Sequence, residues 1–530
     1  MNVTLSRPRS NTWQPWQVGV FALIQIIVML LAISNESLWI DEFWTAHFGA
    51  MESFKAFIEL LLVPNGSQTP LHFLHFYLWG LLHPVGEFLF RLANLPLFVA
   101  GQLAVFWALR DYPRKFAYPF LTLSALHPMI WQYANEARPY IMMYAGSQMI
   151  LAYLLNLHAR NAIGLSAEPF FLMLFVVGGI LLFGASLLGV FSVFAACLYV
   201  LLHHLRQSTW REQLRGVNLL LLGLFLIVVA LLTAYYLNSL LLGAGGSRLA
   251  SSSIFTVLSA AYEVLGLAGV GPSRLELRSV GPAALVPYAF PLVAAGSVLL
   301  AVFAVGLHEA RARLGTRKLL LIGALGLFPV ATILFSGFAM HWRVAGRHLF
   351  AVLPLLTLLL AISLAALLQA DSRGHQRLRW LLAASALVLL VYSSFSLRFS
   401  ERHRKDDYRT AAALAHESLA QGQRVWWAAD VIGARYYRLP GEFDVLGELT
   451  GQNKPTVCSD LPGVQAIANA STACLLTLTT PEVVILSKPD TFDTNGDITS
   501  YLKAQHFLVV QTLPAFTIWR RSGHAQPLKQ

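Results

Sequence analysis

Apolar stretches of membrane-crossing length recur along most of the chain and then stop. Runs at 17–34, 88–109, 116–133, 139–157, 169–183, 187–203, 217–242, 287–307, 319–337, 348–370 and 380–397 read as about eleven transmembrane helices. The connection at 35–87 is long and mixed. It carries an amphipathic stretch near Met51–Leu62 and an apolar segment, Pro70–Trp79, too short for a comfortable span and better suited to a re-entrant or interfacial helix. The segment 243–286 opens on a turn rich in glycine (Gly243, Gly245, Gly246), passes through Ser251, Ser252 and Ser253, and continues into a second interfacial helix over Ile254–Leu267, a pattern suited to a lid. From Arg398 the pattern changes: 13 acids and 14 Lys/Arg are spread over the rest, and no span-length run remains. Helical spacing over Asp407–Gly422 and 498–505, with strand-like Arg424–Ala429, Glu482–Leu486, Phe507–Leu513 and Phe516–Arg520, predicts a small α/β domain. The expected architecture is therefore an all-α polytopic membrane part, 1–397, with a first outer loop at about 35–87, followed by an α/β domain, 398–530.

Composition supports a membrane protein. The chain is 56% hydrophobic and only 12% charged, against roughly 25% charged in soluble domains. Its net charge of +11 would suit a nucleic-acid partner if it were concentrated on one surface, but the cations fall in short clusters between spans: Arg7/Arg9, Arg110/Arg114/Lys115, His158/Arg160, Arg206/Arg211/Arg215, Arg311/Arg313/Arg317/Lys318 and Arg373/Arg377/Arg379. With the span list above every cluster lands on the side of the N-terminus, so the positive-inside rule puts the N-terminus in the cytoplasm, excludes a nucleic-acid role and leaves the bilayer as the partner of the apolar faces. No small-residue cleavage site precedes Trp39, so the first run reads as a retained helix. Three cysteines exclude a thiolate metal cluster; Cys197 lies in a span, whereas Cys458 and Cys474 share the tail and can pair in an oxidising compartment.

The candidate chemistry falls on the outer side. Asp41 and Glu42 follow the first span, framed by Trp39 and Trp44, and a carboxylate at the edge of lipid needs water, a partner or a substrate. Neighbouring residues point in different directions, so one of the two acids is expected to act as a general base; a solvated loop with tryptophan anchors is the plainer alternative. A second constellation, Tyr133-Ala134-Asn135-Glu136-Ala137-Arg138-Pro139-Tyr140, sits at an outer boundary, where Pro139 suits a first helical turn and Glu136 with Arg138 is either part of a site or a surface ion pair. The third, His341-Trp342-Arg343-Val344-Ala345-Gly346-Arg347-His348, places two guanidinium and two imidazole groups where the positive-inside rule disfavours cations. Arg343 and Arg347 then await an anion, a phosphate above all, or lipid headgroups. His341 and His348 lack a clear third metal ligand nearby.

Taken in order, LWIDEFW, TPLHFLHFYLWGLL running into EFLFRLANLPLF, HPMIWQYANEARPYIMMYA and GRHLFAVLP resemble bacterial glycosyltransferases of the GT-C fold, and in particular the branch containing protein O-mannosyltransferases and the aminoarabinose transferase that acts on lipid A. KDDYRTAAALA, opening the tail, resembles the start of the periplasmic domain in that branch. The resemblance covers 17–160, 340–355 and 397–440, while 160–338 matches in hydropathy alone. It implies an inner-membrane, multi-pass enzyme that moves a sugar from a polyprenyl-phosphate donor to a glycan, lipid or protein acceptor in the periplasm. Asp41 matches the base, Glu42 its neighbour, Glu136 and Arg138 the second-loop acidic and basic positions, and Arg347 the basic residue of the late loop. Tyr140, His341 and Arg343 complete the substrate-binding candidates. A divalent cation helps bind the phosphate in related oligosaccharyltransferases, but no convincing ligand set is visible here. One departure is Thr69-Pro70, where the family often has two prolines.

Two other classes fit many helices and outer charges: a transporter or flippase of a lipid-linked glycan, and a non-catalytic envelope protein whose tail binds glycan. Transporters place polar residues at mid-bilayer in interrupted, repeated helices, whereas the charges here sit at the outer boundary. The topology is checked directly by fusion after Ser400: a reporter active only in the cytoplasm is expected to stay silent, and strong activity would reverse the orientation.

Overall fold

The computed structural model describes residues 13–63, 69–83, 86–161, 167–207, 216–242, 252–369, 376–443 and 458–522. The glycine-rich turn expected at Gly243–Gly246 and Ser251 lie outside them, as do the basic residues Arg7, Arg9, Arg211, Arg215 and Arg373. The chain divides into two compact units. One comprises Met1–Ser34, Ser67–His75 and Arg91–His403, the other Asn35–Gly66, Phe76–Phe90 and Arg404–Gln530.

The first unit is helical, and all eleven expected spans fall on helix. Eight helices among the described residues are long and apolar enough to cross a membrane. The other three differ for local reasons. The run at 116–133 is split into Arg114–Leu126 and Pro128–Ala134 at His127, because Pro128 has no N–H to continue the ladder and biases the preceding residue away from helix. Tyr140–Asn161 is a 22-residue helix carrying polar groups, and nearly all of it is buried. Pro169–Ala185 is apolar but has 17 residues. These last two cross at Gly146, where an added Cβ would lie 2.6 Å from the carbonyl oxygen of Gly178, the close backbone approach that small residues allow between membrane helices. In contrast, Val217–Leu241 turns Leu220, Leu226 and Leu231 outward, more than half exposed, as suits lipid-facing side chains.

The helix bundle contains polar groups that hydropathy averages away. Gln102 Nε2 donates to the Ser124 carbonyl (2.7 Å), Ser124 Oγ to Gln102 Oε1 (3.0 Å), Tyr144 OH to the same carbonyl (2.7 Å) and Gln148 Nε2 to Tyr144 OH (2.6 Å). All four side chains are buried. In a medium without water such groups are tolerated when they satisfy one another.

The second unit is built on a five-stranded sheet of order β2-β1-β3-β5-β4, with β1 Val425–Ala428, β2 Val464–Ala466, β3 Val483–Ser487, β4 Phe507–Leu513 and β5 Phe516–Arg521. β1 runs parallel to β2 and β3, while β5 is antiparallel to β3 and β4. Every residue of β1 and β3 is buried, which is why these strands read as continuous apolar runs rather than alternating ones. Trp426, Leu475, Ile498 and Leu502 fill the core on one face. Tyr408–Ala420 and Asp497–Ala504 are helices where the spacing predicts them. β2 and the helices Val431–Tyr436 and Thr472–Thr477 are additions, each too short to leave a periodic signal.

Cys458 and Cys474 form a disulfide, with Cα atoms 5.1 Å apart and a sequence separation of 16. It ties the segment before β2 to the Thr472–Thr477 helix, beside a hydrogen bond from Thr477 Oγ1 to the Cys458 carbonyl (3.1 Å). Closing a loop of this length removes on the order of 3 kcal/mol of unfolded-chain entropy. Alkylation of the non-reduced protein under denaturing conditions is expected to label Cys197 and to spare Cys458 and Cys474 until a reductant is added; labelling of all three beforehand would contradict the pairing.

Candidate functional site

Asp41 and Glu42 occupy the first turn of a helix, Ile40–Gly49, that starts after an extended Trp39. Two acids there complement the unpaired N–H groups and the positive end of the helix dipole. Their surroundings differ. Glu42 is fully buried; its Oε2 accepts from Lys405 Nζ at 3.1 Å and, more weakly, from the Trp39 backbone N–H at 3.4 Å. Asp41 is half-buried; it lies about 100° around the helix from Glu42 and about 200° from Phe43, the two residues that point inward. Phe43 is also fully buried, edge-on to Tyr408 at 4.9 Å and Tyr437 at 6.0 Å. Gly433 gives it room, since a Cβ there would come within 2.6 Å of the Phe43 ring.

The chain leading into this helix is fastened within the same unit. Ser37 Oγ is 2.9 Å from Tyr437 OH, which donates to Glu87 Oε1 at 3.1 Å. Arg409 meets the Glu87 carboxylate at 2.8 Å and donates to the Asn35 carbonyl at 2.8 Å. Further along the helix, His47 is held neutral: burial and then the charge of Arg435 push its imidazole down to about 4.

The second and third constellations belong to the other unit, and there the structure brings them together. Phe350, in the tight turn Gly346–Val352, packs on Tyr133 (5.3 Å), Tyr140 (6.2 Å) and Tyr144 (5.8 Å). Glu136 is 2% exposed and accepts from Arg274 Nη1 at 2.9 Å. Arg274 also lies 3.7 Å from Glu263 Oε1 and 4.8 Å from the centre of the Tyr133 ring, and with the Gln132 amide turned to place its oxygen inward it donates to that oxygen at 2.7 Å. Tyr133 OH donates to Glu263 Oε2 at 3.1 Å. Gly346 lies against Glu263 so closely that a Cβ would overlap the carboxylate.

Around this knot the named cations are placed differently. Arg347 is half-buried in the turn, whereas His341 and Arg343 are exposed, His341 with a left-handed backbone (φ 54°). His348 faces inward: its Nδ1 accepts from the Ala345 N–H at 3.0 Å and its ring meets Trp342 edge-on at 5.1 Å. Ser252 pins the loop, donating to the Trp342 carbonyl (2.7 Å) and accepting from Val344 N–H (3.1 Å). Arg138 is half-buried and close enough to act electrostatically on the buried imidazole of His72.

Glu263, Arg274 and Tyr133 are the members that sequence reasoning left unassigned. Glu263 carried a signal, being the single acid in the apolar helix Ile254–Val264. Arg274 carried none, because its partner Glu136 is 138 residues away. Among the described residues no group of three or more His, Cys, Asp or Glu side chains is disposed to hold a metal ion.

No family model matches the chain, and no curated protein matches it. Solved structures do. The crystal structure of ArnT from Cupriavidus metallidurans in the apo state aligns over 96% of this chain and 99% of its own, at 14% identity and a TM-score of 0.51. ArnT bound to undecaprenyl phosphate aligns over 97% and 99%, at 14% identity and a TM-score of 0.47. The Archaeoglobus fulgidus oligosaccharyltransferase in complex with Zn and sulfate aligns over 95% and 73%, at 12% identity and a TM-score of 0.47. The likeness to apo ArnT, end to end, is one of fold: the chain has the GT-C architecture, a polytopic helical membrane protein with a small α/β domain at its C-terminal end.

The depressed pKa of His47 fixes a direction for stability against pH. Above about 6.5 the imidazole is neutral in folded and unfolded chains alike and contributes no pH dependence. Between 6.5 and about 4 the unfolded chain binds the proton and the folded one does not, so stability falls as pH falls through this window. Thermal unfolding of the purified protein from pH 7.5 to 4.5 is expected to show a shallower loss for His47→Gln than for the wild type; identical slopes would show that His47 titrates in the folded protein.

Proposed function

We propose that this protein is a membrane glycosyltransferase that transfers a sugar from a polyprenyl-phosphate donor to an acceptor on the outer face of a bacterial inner membrane. The GT-C architecture supports the general reading. The observation that carries the finer one is the unequal treatment of the two adjacent acids: Glu42 is buried and ion-paired, and Asp41 stays half-exposed in the first turn of the same helix. A base for an acceptor hydroxyl needs one positioned carboxylate that substrate can reach.

In this reading Asp41 takes the acceptor proton while the acceptor oxygen attacks the anomeric carbon. The bond from that carbon to the phosphate oxygen breaks, and the lipid phosphate leaves with its electron pair. Arg347 meets the developing charge, with Arg138 and Arg343 as further cations and His341 and Tyr140 as substrate contacts. A guanidinium fork offers two parallel hydrogen bonds to such a group. Glu136 serves by holding Arg274 and with it the fold of the second loop. A single displacement inverts the anomeric configuration. The positive-inside pattern supports a cytoplasmic N-terminus, with residues 1–397 as the transferase part and 398–530 as the periplasmic domain.

The test is turnover of undecaprenyl-phosphate-linked pentoses and hexoses by folded, membrane-inserted variants, with donor binding measured separately. Asp41→Asn keeps shape and hydrogen bonding but cannot accept the proton, so donor binding is expected to persist while turnover falls about 10²–10⁴-fold, the usual contribution of a general base. Glu42→Gln is expected to be milder. Near-normal turnover by Asp41→Asn would remove the mechanism; a dead Glu42→Gln beside an active Asp41→Asn would keep the enzyme class and move the base by one residue.

A further inference from the structure

Lys405, Asp406 and Asp407 open the C-terminal tail as three consecutive charges, and each is committed to a different element of its own unit. Lys405 reaches Glu42, the third residue of the Ile40–Gly49 helix, with only 14% of its side chain exposed. Asp406 is buried and forms an ion pair with Lys488, itself 5% exposed in its side chain. The Lys488 ammonium also lies 5.7 Å from the centre of the Trp39 ring, and Trp39 is the residue that starts the same helix. Asp407 caps Tyr408–Ala420 by accepting from Thr410 N–H at 3.0 Å, while its own N–H donates to the Pro514 carbonyl at 3.0 Å. The tripeptide is thereby fixed to the sheet at one end and to the Asp41 helix at the other.

Two further features show how much is given up for this arrangement. Lys488 has a left-handed backbone (φ 36°), a conformation that a side chain adopts only where the surroundings enforce it. Both lysines are also largely withdrawn from water, which costs free energy that a pair recovers only with well-placed partners. A tail that merely packed on a loop needs neither.

We propose that Lys405 and Lys488 are positioning residues for Asp41. They grip the two residues that bracket it, Glu42 directly and Trp39 through its ring, and so hold the first turn of the helix at one place and one rotation. The inference rests on the reading of Asp41 as the base. It assigns KDDYR, which the sequence marks only as the start of the tail, a role in catalysis through Asp41 rather than by contact with substrate.

The experiment uses the full-length protein in proteoliposomes, undecaprenyl-phosphate-linked pentoses and hexoses as donors, an envelope glycolipid extract as acceptor, and release of undecaprenyl phosphate as the readout. Displacement of a reacting group by about 1 Å costs up to about 10²-fold. Lys405→Met and Lys488→Met are therefore expected to lower kcat by about 10- to 10²-fold with donor KM within about twofold of wild type, and Lys405→Arg to regain most of the loss. In an Asp41→Asn background Lys405→Met is expected to add nothing, because the group it positions is already absent. Equal losses in both backgrounds, or wild-type kcat in both lysine variants while Asp41→Asn is inactive, would overturn the positioning role and leave the base intact. Wild-type turnover by Asp41→Asn would instead overturn the base, and this inference with it. If Lys405→Met fails to insert or fold, Asp406→Asn, which loosens Lys488 without exposing Glu42, is measured in its place and decides by the same outcomes.

Discussion

The ion pair between Glu42 and Lys405 is the constraint on which the loop after the first helix depends. A carboxylate with no solvent exposure is strongly unfavourable alone, and removing one partner of such a pair typically costs about 3–5 kcal/mol. The pair therefore ties residues 363 positions apart in sequence. Once Glu42 is fixed, helix geometry leaves little choice for its neighbours. Phe43 enters the aromatic pocket of Tyr408 and Tyr437, and Asp41 is turned toward the less buried side. The Ser37, Asn35 and Glu87 contacts then secure the chain before the helix, so the loop is ordered by polar bonds as much as by apolar packing.

A comparable logic organises the other unit around Arg274. One guanidinium faces two buried or nearly buried carboxylates, Glu136 and Glu263, and the face of Tyr133. A planar fork with several donors suits this task, since it can satisfy acceptors in more than one direction while its plane covers an aromatic ring. The late loop is drawn into the same arrangement by Gly346, which lies on Glu263, and by Phe350, which lies on Tyr133 and Tyr140. The exposed His341 and Arg343 are left outside this core, and Arg347 lies partly within it.

Hydropathy alone makes the spans legible, because lipid demands a continuous apolar run and little else competes with that demand. The strands Phe507–Leu513 and Phe516–Arg521 are equally legible, as apolar runs bounded by a turn at Pro514 and Ala515. What stays hidden is pairing. Nothing near Glu42 announces Lys405, and nothing near Glu136 announces Arg274, because charge partners distant in the chain leave no period in either neighbourhood. The Gln102, Ser124, Tyr144 and Gln148 network is hidden for another reason: a window average absorbs four polar residues into apolar surroundings. The break at His127 was available from Pro128 alone, and the long apolar average of 116–133 obscured it.

Adjacent acids at a helix start pose a physical problem that this structure solves by division. Both are favoured by the helix dipole, yet two unscreened charges on neighbouring residues oppose each other, more strongly as water is excluded. Burying Glu42 against a lysine compensates one charge within a hydrogen-bond length. Asp41 then sits beside a neutral pair rather than beside a bare like charge, and it stays half-buried where Glu42 is fully enclosed. The same division explains why the two acids are not interchangeable. Exchanging their environments would require the helix to rotate by about 100°, which would pull Phe43 out from between Tyr408 and Tyr437. The aromatic pocket therefore sets which carboxylate is buried, and the lysine makes that burial sustainable.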